Sequence, residues 1–184
     1  RAMNDELKIA SATQRRHGDQ YAVLVMDLDS FKQINDTHGH QAGDAVLREV
    51  AARLRACVRR VDTISRLGGD EFVVLLADIK GADQAAHVAG AVTHAVARPI
   101  DVGGQQVALS VSIGIALCPD DGIDVEALLH HADVVREAVL MVQREKASRS
   151  VATTVSLFFS ISNNKDPVLL LLLCLHFFFF LSVC

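Results

Sequence analysis

Asp27, Asp70 and Glu71 are the residues whose types and positions point most directly to chemistry. Asp27 follows the apolar run Tyr21 to Met26 (YAVLVM), where a buried strand meets a loop, and Asp70-Glu71 follow Gly68-Gly69 between two further apolar runs. If those strands are neighbours, three carboxylates converge at one edge of a sheet. Such an oxygen-rich cluster suits Mg2+, which binds through one or two carboxylates plus substrate phosphates instead of a closed protein cage. The competing reading is a strand-end turn at Asp27 and a solvated hairpin at Asp70-Glu71, because acidic residues are common in turns. Lys32 stands one turn past Asp27. There its ammonium and the backbone amides of Ser30 and Phe31 can meet phosphate oxygens; otherwise it is a surface lysine. The chain has no GxxxxGK[ST] loop, so a triphosphate would have to be held by metals and scattered donors. His38 and His40 form an HxH pair, but no Cys or third His follows at ligand spacing, which argues against zinc. Arg59-Arg60-Val61-Asp62 spells RxxD, which by itself fits a charged helix end.

The elements that must position these groups can be read from periodicity. Leu7, Ile9 and Ala10 mark a short amphipathic helix ending near His17-Gly18, where glycine supplies a stop. Tyr21 to Met26 is a buried strand. A break over Asn35 to Gly43, with Gly39 and Gly43 allowing tight turning, leads into a helix from Asp44 to about Arg59. Its apolar face is Val46, Leu47, Val50, Leu54 and Val58, with Asp44 suited to cap it. Thr63 to Leu67 and Phe72 to Leu76 form a hairpin across Gly68-Gly69. Ala82 to Val96 is helical, Ile100 to Val102 and Gln106 to Leu117 form a second hairpin with a long second strand, and Asp124 to about Gln143 is a last helix. Overall the order is helix, strand, helix, helix, strand, strand, helix, strand, strand, helix. Hairpins inserted between helices imply an α+β domain, with helices packed on an antiparallel or mixed sheet in the split βαβ, ferredoxin-like style.

Several blocks fall together in order: Asp27-Leu28-Asp29-Ser30-Phe31-Lys32, Asn35-Asp36-Thr37-His38-Gly39-His40, Gly43-Asp44, Arg66-Leu67-Gly68-Gly69-Asp70-Glu71-Phe72 and Ser110-Val111-Ser112-Ile113-Gly114-Ile115-Ala116. They resemble the signature blocks of GGDEF-domain diguanylate cyclases, over about residues 1–133. The resemblance implies a nucleotidyl-cyclase palm with a central, mostly antiparallel five-stranded sheet. It implies condensation of two GTP into cyclic di-GMP with release of pyrophosphate, in a homodimer in which each monomer presents one GTP. It makes Asp27, Asp70 and the Leu28 carbonyl ligands of Mg2+ (or Mn2+), with Asp70, Glu71 and Lys32 acting in catalysis. Phe31, Asn35, Asp44 and Arg144 would hold the substrate; Asn35 and Asp44 match the family's guanine readers, and guanine N1–H and N2–H suit a carboxylate. Arg59 and Asp62 would form an allosteric site for cyclic di-GMP, for which a planar guanidinium is well suited. The family's accessory arginine would fall near Ala91, so a weaker product site is expected.

The pattern breaks toward the end. The family finishes on Ala-Asp-x-Ala-x-Tyr-x-Ala-Lys-x-x-Gly-Arg-Asn; here Ala132-Asp133 are followed by Glu137 for the Tyr, Leu140 for the Lys and Gln143 for the Gly, with Arg144 in place. Loss of the lysine raises a second expectation, a catalytically degenerate domain acting as a GTP or cyclic di-GMP receptor. The Asp-x-Leu-Thr-Gly-Leu block that usually opens the family would lie before Arg1, so residues 1–148 are read as an N-terminally truncated domain and residues 149–184 as an aberrant low-complexity tail. Val168 to Val183 (VLLLLLCLHFFFFLSV) is apolar but shorter than the roughly 20 residues that span a bilayer comfortably. A sequence artefact, a marginal membrane anchor and a packed helix all remain open for it. Arg149, Lys165 and Asp166 are the only charged residues after position 148, which leaves 16 basic and 21 acidic groups before it. That acidic balance, with no Trp and no basic run, excludes a nucleic-acid reader. Cys57, Cys118, Cys174 and Cys184 show no CxxC pair, so neither a disulfide framework nor a zinc site is expected. Arg1 to Ser11 is polar, unlike a secretory signal, and a cytoplasmic domain is expected, with membrane association only through residues 168–183.

Overall fold

The structure is a computed structural model that describes Lys8, Ala12 and residues 20–147, with backbone alone over 142–147. The expected first helix lies mostly outside the described residues, and the apolar tail entirely so. The elements are β1 (Tyr21–Asp29), α1 (Phe31–His38), α2 (His40–Cys57), β2 (Thr63–Gly68), β3 (Glu71–Leu76), α3 (Ala82–Val96), β4 (Ile100–Val102), β5 (Gln105–Val107), β6 (Ser110–Cys118) and α4 (Val125–Ala147).

The main sheet runs β2-β3-β1-β6 with every neighbouring pair antiparallel. β1 is central and has no polar alternation because both of its faces are covered. Ala22, Leu24, Met26 and Leu28 face a core shared with Val46, Val50 and Leu54 of α2 and Val92 of α3. Tyr21, Val23 and Val25 face the opposite way, toward Val125, Leu128 and Ala132 of α4. The side chain of Asp27 follows Val25 in this alternation, which assigns it to the α4 face at the end of the strand.

Three expectations are corrected. The central sheet has four strands among the described residues, not five, and β4-β5 pair separately as a two-stranded sheet. The expected long strand from Gln106 to Leu117 is therefore two strands, β5 and β6, since Val107 pairs with Ile100 while Ser110 onward pairs with β1. The Asn35 to Gly43 segment is helical on both sides of Gly39, so Asp44 lies inside α2 instead of capping it. Gly39, at φ 83°, makes the turn between the helices, whereas Gly43 is helical and is required by a close approach. A Cβ there would overlap Asn35 Oδ1 and stand 3.1 Å from Phe31 Cζ.

Candidate active site

The hairpin β2-β3 and the end of β1 bring the acidic residues together. Asp27 and Glu71 are cross-strand partners, and such partners project to the same face. The Leu28 amide reaches the Asp70 carbonyl at 3.4 Å, which ties the Gly69-Asp70 turn to the strand end, Gly68 being the last residue of β2 and paired with Glu71. Gly69 takes φ 51° in that turn, a conformation that glycine adopts without penalty. Arg66 braces the turn by donating to the Gly69 carbonyl from Nε at 2.9 Å and Nη2 at 2.6 Å. Leu28 itself is buried in the other core, leaving its backbone as its means of contributing to the site.

The electrostatics of this corner are those of crowded negative charge. Burial pushes the Asp27 carboxyl above its ordinary pKa, Asp70 adds to the rise, and Glu71 and Asp29 push the same way against the opposing Arg136. Asp29 is held separately: Ser110 and Ser112 hydroxyls of β6 donate to it at 2.5 and 2.7 Å. Two carboxylates, one backbone carbonyl and mutual repulsion that Arg136 only partly offsets suit a hard divalent cation that completes its shell with phosphate and water. Among the described residues no three His, Cys, Asp or Glu side chains form a ready-made metal cage.

The phosphate and base candidates lie around α1 and α2. Ser30, at φ 63°, turns the chain sharply from β1 into α1, and its carbonyl accepts from the Gln33 and Ile34 amides. Among the described residues the Ser30, Phe31 and Lys32 amides have no backbone acceptor at this turn. Phe31 has its ring in the core and the Lys32 side chain is exposed. The Gly43 contact sets the Asn35 amide against α2, one residue from the exposed Asp44. Asp44 lines a cleft of about 400 Å3 with Leu47, Arg48, Ser65, Arg66 and Phe72, where the buried Ser65 hydroxyl has no hydrogen-bond partner among the described residues. A larger cleft of about 560 Å3 lies elsewhere, against Arg53 and Pro99, and includes none of the site carboxylates. Arg53 there closes the end of α3 by donating to the carbonyls of Ala95, Val96, Arg98 and Pro99.

The RxxD segment closes on itself and onto Ala77. The Asp62 carboxylate is buried and accepts from the Arg59 amide at 2.7 Å, the Ala77 amide at 3.1 Å and Arg59 Nη2 at 3.0 Å. Arg59 also donates to the Ala77 carbonyl, yet its side chain stays about half exposed. Arg144 lies on α4 with its side chain outside the described residues.

The structure adds a group that sequence reasoning missed. Arg136 of α4 is buried and donates from Nη1 to Asp27 Oδ2 at 3.1 Å, while Nε and Nη2 hold Asp133 Oδ1 at 2.9 and 2.6 Å. The available signal was a cation on the helix stripe of Leu128, Ala132 and Val135, four residues after Ala132. Gly114 of β6 allows this approach, because a Cβ would overlap the Ala132 carbonyl oxygen and come within 2.6 Å of the Arg136 amide nitrogen.

The sequence profile described as "Diguanylate cyclase, GGDEF domain" matches residues 1–146. The chain belongs to the GGDEF-domain family. It is 44% identical over 137 residues to the bifunctional diguanylate cyclase/cyclic di-GMP phosphodiesterase MucR and 43% identical over 138 residues to the diguanylate cyclase TpbB, both of Pseudomonas aeruginosa. Those matches cover 71% and 74% of this chain but only 20% and 31% of the two relatives. The crystal structure of the TpbB GGDEF domain superposes with a TM-score of 0.69 at 41% identity, covering 77% of this chain and 86% of that one. The GGDEF domain of DgcB from Caulobacter crescentus, solved in complex with cyclic di-GMP, gives 0.66 at 29% identity over 78% and 84%. These likenesses agree with the mixed α/β architecture, an antiparallel sheet flanked by helices. Among the described residues no helix is long and apolar enough to cross a membrane.

Proposed function

We propose that this GGDEF domain is a diguanylate cyclase that binds GTP with Mg2+ (or Mn2+) and, as a homodimer, condenses two GTP into cyclic di-GMP and pyrophosphate. The observation that supports the reading best is the placement of Asp27, Asp70 and Glu71 at one sheet end, beside the first turn of α1. Asp27, Asp70 and the Leu28 carbonyl would hold the metal, which when bound would supply positive charge against the triphosphate and the attacking oxygen. Phe31 and Lys32 amides and the Lys32 ammonium bind phosphate oxygens. Asn35 and Asp44 read the guanine edge, which fixes the base relative to the strand end. Asp70 takes the proton of one GTP 3′-hydroxyl, whose oxygen forms a bond to the α-phosphorus of the other GTP as the bond to pyrophosphate breaks. Glu71 assists from the neighbouring position, and Arg144 contacts phosphate from α4. Two such domains must face each other for both bonds to form, because each contributes one bound nucleotide.

Arg59 is assigned to cyclic di-GMP inhibition, with Asp62 holding the segment in shape. A second reading, a receptor that binds GTP or cyclic di-GMP without turnover, is favoured by two specific features: Leu140 stands where the family has a lysine, and Arg136 holds Asp27. Chromatography of nucleotides after incubation of the folded dimer with GTP and Mg2+ separates the readings. Product that disappears in Asp70→Asn, with GTP binding largely retained, is the expected result. Absence of product with retained nucleotide binding establishes the receptor instead.

A further inference from the structure

Arg136 is an unusual residue to find against this sheet. Its neighbours along the buried stripe of α4 are Leu128, Ala132 and Val135, and its side chain is only 8% exposed. A guanidinium does not shed its charge when buried, so it must find carboxylates there, and it finds two. Asp133, on the same helix, holds Nε and Nη2, while the remaining Nη1 reaches across to Asp27 at 3.1 Å. Asp133 is about half exposed and belongs to no other part of the site, so it anchors the guanidinium whether or not Asp27 is engaged. Gly114 sets the depth of the helix and thereby the reach of Arg136.

We propose that Arg136 is a tethered cation that competes with the divalent metal for Asp27 and so lowers the affinity of the nucleotide-free site for metal. This rests on the reading that Asp27 is a metal ligand. Mg2+ coordinates a carboxylate oxygen at about 2.1 Å, and a guanidinium on the same carboxylate is then a second cation only a few ångströms away, where like charges repel strongly out of bulk water. Arg136 on Asp27 therefore opposes metal loading electrostatically, and the opposition falls when the guanidinium draws back toward Asp133. A metal arriving with a triphosphate meets less opposition, since the phosphates offset its charge. The consequence is a site that resists bare metal and favours the metal–nucleotide complex.

The test is Mn2+ titration of the whole nucleotide-free chain, followed by electron paramagnetic resonance of free Mn2+, in wild type, Arg136→Met, Arg136→Gln and Asp27→Asn. Circular dichroism melts show which variants are folded. Removing the guanidinium should tighten Mn2+ binding by about tenfold or more, in Arg136→Met, which keeps an apolar stem, and in the polar, neutral Arg136→Gln alike. Asp27→Asn should abolish binding. Unchanged or weaker affinity in the folded Arg136 variants, with binding that still depends on Asp27, overturns the competition and leaves the metal site standing. Absence of Asp27-dependent Mn2+ binding in wild type and in both Arg136 variants overturns the metal reading, and the competition with it.

Discussion

Gly43→Ala isolates the proposed base-reading contact from fold stability. The added Cβ would overlap Asn35 Oδ1 and lie 2.9 Å from its Cγ, with Phe31 Cζ at 3.1 Å. The obstructing atoms are the far end of a polar side chain and a ring edge, not backbone, so Asn35 can rotate away and Phe31 can give by a few tenths of an ångström. Alanine inside α2 gains about 1 kcal/mol of helix propensity over glycine, and displacing Asn35 from its preferred rotamer costs roughly 0.5–1.5 kcal/mol. The two nearly cancel, so stability should change by less than about 1 kcal/mol. GTP binding should suffer, because one hydrogen bond to the base, worth about 0.5–1.5 kcal/mol net, is lost; that is about a two- to tenfold weaker Kd. Urea unfolding measures the first quantity and calorimetric titration of GTP the second. A double-mutant cycle sharpens the test: once Asn35→Ala has removed the amide, Gly43→Ala should have almost no further effect on GTP binding. Unchanged GTP affinity in a folded Gly43→Ala protein, or full additivity in the cycle, would refute the assignment of Asn35.

Asp27→Asn should raise the melting temperature of the metal-free protein at neutral pH. Burial and then Asp70, Glu71 and Asp29 raise the folded-state pKa of Asp27 against the pull of Arg136, so its contribution to stability is fully present below the unfolded value near 4 and is lost as pH rises through the folded value. The gain from Asn should therefore shrink toward pH 4 in melts across pH; a gain that grows on acidification would contradict this. Gly114→Ala should destabilise by about 2–3 kcal/mol in urea, since the new Cβ meets helix backbone that cannot turn aside. Asp62→Ala should cost about 2–4 kcal/mol by orphaning buried donors, including the Ala77 amide, whereas Arg59→Ala should cost about 1 kcal/mol and lower cyclic di-GMP affinity in calorimetry. Equal cyclic di-GMP affinity in Arg59→Ala and wild type would return RxxD to a structural role.

Features that depend on local chemistry were legible along the chain. Tyr21 to Met26 is apolar at every position, short and bounded by polar residues, which suits the strand buried on both faces that forms there. Ala82 to Val96 was legible to the residue from its composition and flanking breaks. The Gly68-Gly69 pair announced a tight hairpin, and the carboxylates beside it announced a cluster, because turn geometry and charge are properties of neighbours along the chain. Other features follow from contacts between distant parts of the chain. Gly43 resembles a turn residue in the sequence, but what requires it is the Asn35 side chain of another helix pressed against it. Asp62 looks like half of an exposed charged motif, and only the fold shows its carboxylate closed by the Ala77 amide from beyond β3. The division of Gln106 to Leu117 into two strands follows from which partner each half can pair with, a choice made between β4 and β1. Arg136 lies 109 residues from Asp27 along the chain; no local pattern links them, because their contact exists only where Gly114 lets α4 settle onto the sheet.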